Sequence, residues 1–172
     1  HYINADKKSH IQSDSTIKIA EMKFISGACM FFKKDTFDLL GGFDENFFLY
    51  FEESDFCLRS YKINKNYQIN YIKIVHNVGS SVKTENDSER KKLNRLYTWH
   101  FIWSKFYYYK KNYGFLYALV YFIPIILRIF LKIIFFSCKN DHENIEKYKT
   151  RLSGLLNSII GKKSFKRLEA FK

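Results

Sequence analysis

Proline occurs once in the 172 residues and glycine seven times, so the chain is neither collagen-like nor a low-complexity segment. Cysteine is also scarce, because only Cys29, Cys57 and Cys138 are present and they are too far apart for a CxxC metal or redox pair. Their odd number argues against a disulfide framework and indicates a reducing, cytosolic compartment. Apolar and aromatic residues are plentiful, with 18 Phe and 13 Tyr, and they are sufficient to build a core.

Acidic residues are scarce in the second half of the chain, and this divides the sequence in two. Residues 1–82 hold 10 Lys and Arg against 10 Asp and Glu, whereas residues 83–172 hold 19 against 7 and carry the whole net charge of +12. The neutral half contains clustered carboxylates, and the basic half contains a long apolar segment. We therefore expect two functional regions, 1–82 and 83–172, and negatively charged partners for the second.

The hydrophobic pattern predicts strands and helices in the first region and helices alone in the second. The apolar run 23–34 has the length of a buried strand, and the glycine pair at 41–42 ends a short helix capped by Asp35. The other predicted elements are a helix that begins at residues 52–55 and ends near 64–66, one or two strands within 67–77, and helices at 86–112, 115–138 and 146–168.

Glu52, Glu53 and Asp55 lie close together at the start of a predicted helix. Carboxylates in a first turn offset the positive end of the helix macrodipole by about 0.3–1 kcal/mol each, which is a sufficient structural reason for their presence. They follow the aromatic loop FFLYF (47–51), however, and capping carboxylates that face solvent need no such loop. Aromatic walls partly desolvate a carboxylate and raise its pKa toward the working range of a general base. Capping and catalysis both stay open on this pattern.

His76 follows the apolar run IKIV (72–75) and precedes the turn NVGSS (77–81). A histidine at a strand end is commonly structural, because a backbone carbonyl satisfies its neutral ring. The same position lies at the mouth of the predicted sheet, where ligands for metal ions or phosphates are often found. Spacing alone leaves both roles open.

Taken in order, these features resemble a known family. The stretch SGACMFFKKDTFDLLGGFDENFFLYFEESDFCLRSYKIN (26–64), followed by IKIVHNVGSS (72–81), resembles the C-terminal half of the catalytic domain of family 2 glycosyltransferases. The closest likeness is to rhamnosyltransferase-like members that act on cell-surface polysaccharides. The resemblance covers about residues 24–81 and implies an α/β fold, namely the C-terminal half of a Rossmann-like GT-A domain followed by an α-helical, membrane-associated tail.

The resemblance also implies an activity and its residues. It implies inverting transfer of a sugar from a nucleotide sugar to a hydroxyl of a glycan acceptor, which we expect to be lipid-linked. In the segment FEESD the second carboxylate, Glu53, matches the catalytic base, although the family more often has Asp there. Glu52 and Asp55 match neighbouring acidic positions that orient the acceptor or brace the helix.

The donor side is only partly represented. Gly27 and Ala28 match small residues that line the sugar-nucleotide cleft, and His76 matches a histidine that contacts the diphosphate or its metal ion. The family usually binds Mg²⁺ or Mn²⁺ through an Asp-x-Asp motif, and this sequence contains none. The chain begins with His1 rather than Met, so we expect it to be the C-terminal piece of a longer protein and to be inactive alone.

The apolar segment 115–138 predicts contact with a membrane. Twenty of its residues are apolar, and Arg128 and Lys132 share one helix face at a spacing of four. Both flanks are basic, so a helix lying in the interface fits better than a helix crossing the bilayer. We expect residues 83–172 to hold the protein at the cytoplasmic face of the cell membrane, as a peripheral or monotopic protein.

Two other function classes fit parts of the sequence. A catalytically inactive, membrane-anchored interaction remnant would explain why the donor-binding half is missing. A basic nucleic-acid-binding module would explain the net charge and the aromatic residues at 99–109, but such modules do not carry a 24-residue apolar segment beside them. We therefore expect no nucleic-acid partner.

Overall fold

The computed structural model describes residues 18–72, 74–76, 82 and 84–170, and these are mostly helical. The elements are, in chain order, β1 (Ile19–Glu21), α1 (Lys34–Leu39), α2 (Glu52–Tyr61), β2 (Tyr67–Ile69), α3 (Asp87–Tyr113), α4 (Phe115–Cys138), α5 (His142–Ile159) and a short 3-10 helix (Leu168–Ala170). β1 and β2 pair antiparallel, with Ile19 opposite Ile69. Within the described residues this two-stranded ribbon is the only sheet.

The predicted α/β fold, the C-terminal half of a Rossmann-like GT-A domain, is therefore wrong. A doubly wound domain needs parallel strands joined through crossover helices, whereas β1 and β2 are antiparallel and three residues long. The run 23–34 is not the predicted strand. It is an irregular loop up to the start of α1 at Lys34. Phe32 of this run stacks on Phe37 and contacts Phe56. The apolar side chain therefore packs from a loop and not from a sheet.

The three long helices form an up-down-up bundle. α3 begins after Asn86, whose side chain accepts a hydrogen bond from the backbone N–H of Glu89, so the predicted helix is confirmed with its cap one residue earlier. Gly114, at φ 96°, separates α3 from α4 and allows the chain to reverse at once. Asp141 caps α5 by accepting a hydrogen bond from the N–H of Asn144.

α3 and α5 run parallel to each other, with α4 antiparallel to both. At one end Lys91 of α3 pairs with Glu143 of α5 at 2.9 Å, and further along the Trp99 indole N–H donates to Ser153 Oγ at 3.3 Å. The helices touch most closely at Gly154, where a Cβ would lie 2.6 Å from the carbonyl oxygen of Trp99. The apolar core between the three helices consists of Ile102, Phe106, Ala118, Phe122, Ile129 and Leu155.

The loop of residues 43–51, which ends in the aromatic segment FFLYF, packs on α3. Phe47 and Phe51 are buried against Tyr108, and the Tyr107 hydroxyl donates to Asp44 at 3.0 Å. The Ser104 hydroxyl donates to the carbonyl of Leu49 at 2.7 Å. The bundle thus fixes the loop that leads into α2, and it does so with side chains from the middle of one helix.

Candidate active site around Glu53

The first turn of α2 follows a strained backbone. Tyr50 and Phe51 both lie in the left-handed region, at φ 67° and 71°, and Phe51 is the residue that caps the helix. Each such residue costs on the order of 1–3 kcal/mol, so the surrounding contacts must hold it in place. Phe51 is held by ring contacts with Phe101 and Tyr108, at centroid distances of 5.7 and 5.4 Å. These contacts fix the backbone immediately before Glu52 and Glu53.

Glu53 lies beneath the loop that carries Gly27. A Cβ on Gly27 would be 3.4 Å from both Cβ and Cγ of Glu53, so the bare glycine backbone lies against the glutamate side chain. Burial raises the pKa of Glu53 above its ordinary value, and the negative charge of Glu52 raises it further. The structure thus brings together two predicted site residues, and one of them is a carboxylate with increased proton affinity.

Cys57 holds the glycine loop in place and was not predicted as a site residue. It lies one helical turn after Glu53, and its thiol is 3.8 Å from the carbonyl oxygen of Ile25. Burial raises the pKa of this thiol, so it stays protonated and able to donate. The spacing of four between Glu53 and Cys57 is the signal in the sequence that puts both side chains on the face covered by Ile25 and Gly27.

Glu52 has an unsatisfied oxygen. Its Oε2 is buried and has no hydrogen-bond partner among the residues that the structure describes. An unpartnered buried acceptor costs about 1–3 kcal/mol, and a hydroxyl group brought to it would recover that cost. The side chain is therefore suited to accept a hydrogen bond from a ligand.

Asp55 belongs to a separate network. It is fully buried, and its carboxylate bonds to Arg59 and Lys111 at 2.8 Å each and to Asn112 at 3.1 Å. Lys111 also bonds to Asp44 at 2.8 Å, so it joins the loop, α2 and α3. Of the two roles that the resemblance implies for Asp55, these contacts match bracing of the helix rather than contact with an acceptor.

Ala28 and His76 are both exposed. Ala28 follows Gly27 in the covering loop, and its N–H donates to Ser26 Oγ at 3.3 Å. Over the described ranges no group of three or more His, Cys, Asp and Glu side chains is placed to hold a metal ion. His76 therefore belongs to no such group there, and the binding of Mg²⁺ or Mn²⁺ stays a prediction. The turn NVGSS (77–81) lies outside the described residues.

One helix in the described part of the chain, α4, is long and apolar enough to cross a membrane. Only 11% of its most apolar window is buried inside the protein. Comparison of the chain with protein-family models, curated proteins and solved structures gives no match.

Proposed function

We propose that this chain is the acceptor side of a membrane-associated glycosyltransferase and that Glu53 is its general base. The observation that carries the proposal is the environment of Glu53, a half-buried carboxylate pressed against Gly27 and repelled by Glu52. The sequence resemblance over residues 24–81 supplies the reaction class. The geometry adds a carboxylate whose pKa is raised by its surroundings, which is what proton abstraction from a hydroxyl requires.

In the proposed reaction an acceptor hydroxyl donates a hydrogen bond to the Glu53 carboxylate. Its proton moves to a Glu53 oxygen while the hydroxyl oxygen bonds to the anomeric carbon of the nucleotide sugar. The bond from that carbon to the diphosphate breaks, and the nucleoside diphosphate leaves with the electron pair. Attack opposite to the leaving group inverts the anomeric carbon. Glu52, with its unpartnered oxygen, is suited to bind a second hydroxyl of the acceptor and so to orient it.

The proposed acceptor is a glycan on a lipid carrier at the cytoplasmic face of the cell membrane. The support is the exposed apolar helix α4 together with the net charge of +12, which lies wholly in residues 83–172. A lipid-linked acceptor stays at the membrane surface, so an enzyme bound there meets it by diffusion in two dimensions.

The proposal is tested in membranes from cells that carry the wild-type gene, Glu53→Gln or the control Glu45→Gln. Glu45 is an exposed carboxylate in the loop of residues 43–51, and the proposal gives it no role. We expect Glu53→Gln to reduce incorporation of labelled sugar into lipid-extractable glycan by at least about a hundredfold, the usual contribution of a general base, and Glu45→Gln to leave it unchanged. Equal incorporation by all three would overturn Glu53 as the general base.

A further inference from the structure

The outer face of α4 is a continuous apolar strip. Its members recur at spacings of three and four and are half to three-quarters exposed: Leu116 (77%), Val120 (67%), Ile123 (51%), Leu127 (58%), Leu131 (66%) and Ile134 (61%). Ala118, Phe122 and Ile129, on the opposite face, are buried in the bundle. An exposed apolar strip of this length exceeds what a freely soluble surface ordinarily shows and marks a contact with an apolar phase.

The packing of α4 argues against a transmembrane orientation. α4 touches its neighbours near both ends, because Phe122 contacts Phe106 of α3 at 5.1 Å and Phe136 stacks on Tyr148 of α5 at 5.7 Å. α3 and α5 therefore lie beside it over its length, and both are charged, as the Lys91–Glu143 pair that joins them shows. If α4 crossed the bilayer in this packing, it would draw those charges into the hydrocarbon, where Lys and Arg are strongly unfavourable.

Basic side chains border the apolar strip. Arg128 and the half-buried Lys132, four residues apart, lie on one side of α4 between the strip and the buried face, and Lys132 Nζ is 5.3 Å from the ring centroid of Phe135. Lys139 lies over the same ring at 4.5 Å, and Lys105 of α3 lies over Tyr121 at 5.6 Å. α4 itself contains no Asp or Glu. An apolar strip edged by cations matches acyl chains beneath anionic phosphate groups.

We propose that α4 lies in the plane of the bilayer surface, with its outer face in the acyl boundary and with Arg128 and Lys132 bound to phosphates of anionic phospholipids. This inference rests on the membrane association in the proposed function and names its partner and orientation. It is tested by lipid binding rather than sugar transfer, so its failure and a failure of Glu53 as base are distinguishable.

The binding test is flotation of the full chain with vesicles of phosphatidylcholine alone or mixed with phosphatidylglycerol. We expect strong flotation with the mixed vesicles that decreases at high salt. Arg128→Gln combined with Lys132→Gln should weaken binding to mixed vesicles about 30-fold, and the control pair Lys33→Gln with Lys62→Gln, outside the bundle, should not. Equal binding to both vesicle types by the wild type would overturn the anionic-lipid assignment.

The apolar face is tested by Leu127→Glu, with Leu39→Glu as its control. Leu39 lies on α1 and is 72% exposed, so a charge there removes an exposed leucine without touching α4. We expect Leu127→Glu to lower binding about tenfold or more and Leu39→Glu to leave it unchanged. A larger loss of binding in Leu39→Glu than in Leu127→Glu would overturn α4 as the membrane-contacting face. Circular dichroism of each variant reports whether it is folded.

The orientation is tested by the depth of a fluorophore placed at Leu116→Cys, Leu127→Cys or Ile134→Cys. Cys29 and Cys138 are replaced by serine in these variants, and Cys57 is buried from the label. A helix in the interface plane gives three similar, shallow depths in quenching by spin-labelled lipids, and sodium carbonate releases the protein. A deep central position with shallow ends, or resistance to carbonate, would overturn the in-plane orientation.

Discussion

Ser104 donates a 2.7 Å hydrogen bond to the carbonyl of Leu49, and this bond joins the middle of α3 to the loop that ends at Phe51. Leu49 is the residue before the two left-handed positions, Tyr50 and Phe51. Ser104 is fully buried, so loss of its hydroxyl would remove the side-chain partner that this carbonyl has in the fold. The hydrogen bond therefore stabilises the strained turn on which the position of Glu53 depends.

We predict that Ser104→Ala lowers the free energy of unfolding by about 1–2 kcal/mol, because it leaves the Leu49 carbonyl unsatisfied. It should also speed amide hydrogen exchange at residues 50–53. The control is Ser153→Ala, which removes a comparable side-chain bond to Trp99 within the bundle. Urea unfolding and exchange measured by NMR check both effects, and unchanged exchange at residues 50–53 in Ser104→Ala would contradict the assignment.

Removal of the charge at Glu52 should lower the pKa of Glu53. Burial is the larger cause of the raised pKa and the Glu52 carboxylate is the second, so Glu52→Gln removes only the second and the pKa stays above its ordinary value. Carbon-13 NMR of the glutamate carboxylates against pH measures the shift directly. The proposed role of Glu53 as general base further predicts that the acidic limb of the pH–rate profile moves to lower pH by the same amount. Glu45→Gln should move neither.

Glu53→Gln should stabilise the fold at neutral pH. A carboxyl group whose folded pKa is raised contributes stability below its unfolded pKa and loses it as the pH rises through the folded pKa. The neutral amide does not suffer that loss, so the variant should unfold at higher urea concentration than wild type near pH 7. The two should converge below the ordinary pKa of glutamate, 4.5. A variant less stable than wild type at pH 7 would show that Glu53 is a structural ion-pairing residue.

Acid should destabilise the loop through Asp44. Partial burial acts to raise its pKa, but hydrogen bonds from Lys111, Asn46 and Tyr107 outweigh burial and lower the pKa to about 2. A lowered pKa stabilises the fold above the unfolded value of 3.8, and that stability is lost as the pH falls toward 2. Asp44→Asn should therefore lower the free energy of unfolding by about 2 kcal/mol at pH 7 but change it little at pH 2. Asp35→Asn, at an exposed carboxylate on α1, is the matched control in urea unfolding.

Gly154→Ala should destabilise the bundle although alanine favours a helix over glycine by about 1 kcal/mol. The added methyl would lie 2.6 Å from the Trp99 carbonyl oxygen and 2.8 Å from Ile102 Cγ2, so α3 and α5 must separate. Overpacking of this kind costs typically about 1–3 kcal/mol. Urea unfolding compared with Lys147→Ala, at an exposed site on the same helix, measures the cost. A more stable Gly154→Ala protein would show that the two helices approach less closely.

Local signals predicted the helices well and the sheet badly. α3 and α4 were predicted to within a residue or two, because Gly114 and the absence of Gly and Pro from 86–112 mark their limits. α5 was predicted at 146–168 but ends at Ile159, because Gly161 turns the chain at φ 76° and residues 162–166 then bond to Trp103 and His100. That fold-back depends on residues about sixty positions away, which no local pattern contains.

The candidate site was only partly predictable, for the same reason. The acidic cluster and Gly27 were selected as site residues through the resemblance, but the sequence did not predict the contact between Gly27 and Glu53. The different roles of the carboxylates could not be predicted, because Glu53 and Asp55 are both acidic residues in the first turn of the same helix. The spacing of four between Asp55 and Arg59 is a local sign of one ion pair, but the second cation at Asp55, Lys111, comes 56 residues later.

Residues 43–55 leave the ribosome well before the side chains that hold them, since Ser104 is 55 residues after Leu49. At about 5–20 residues per second, the nascent chain carries the carboxylate segment for several seconds without α3. The left-handed turn before Glu52 has no support in that interval, so Glu53 reaches its final surroundings late in synthesis. The next helix to emerge is α4, so the carboxylate site and the apolar helix are completed almost together.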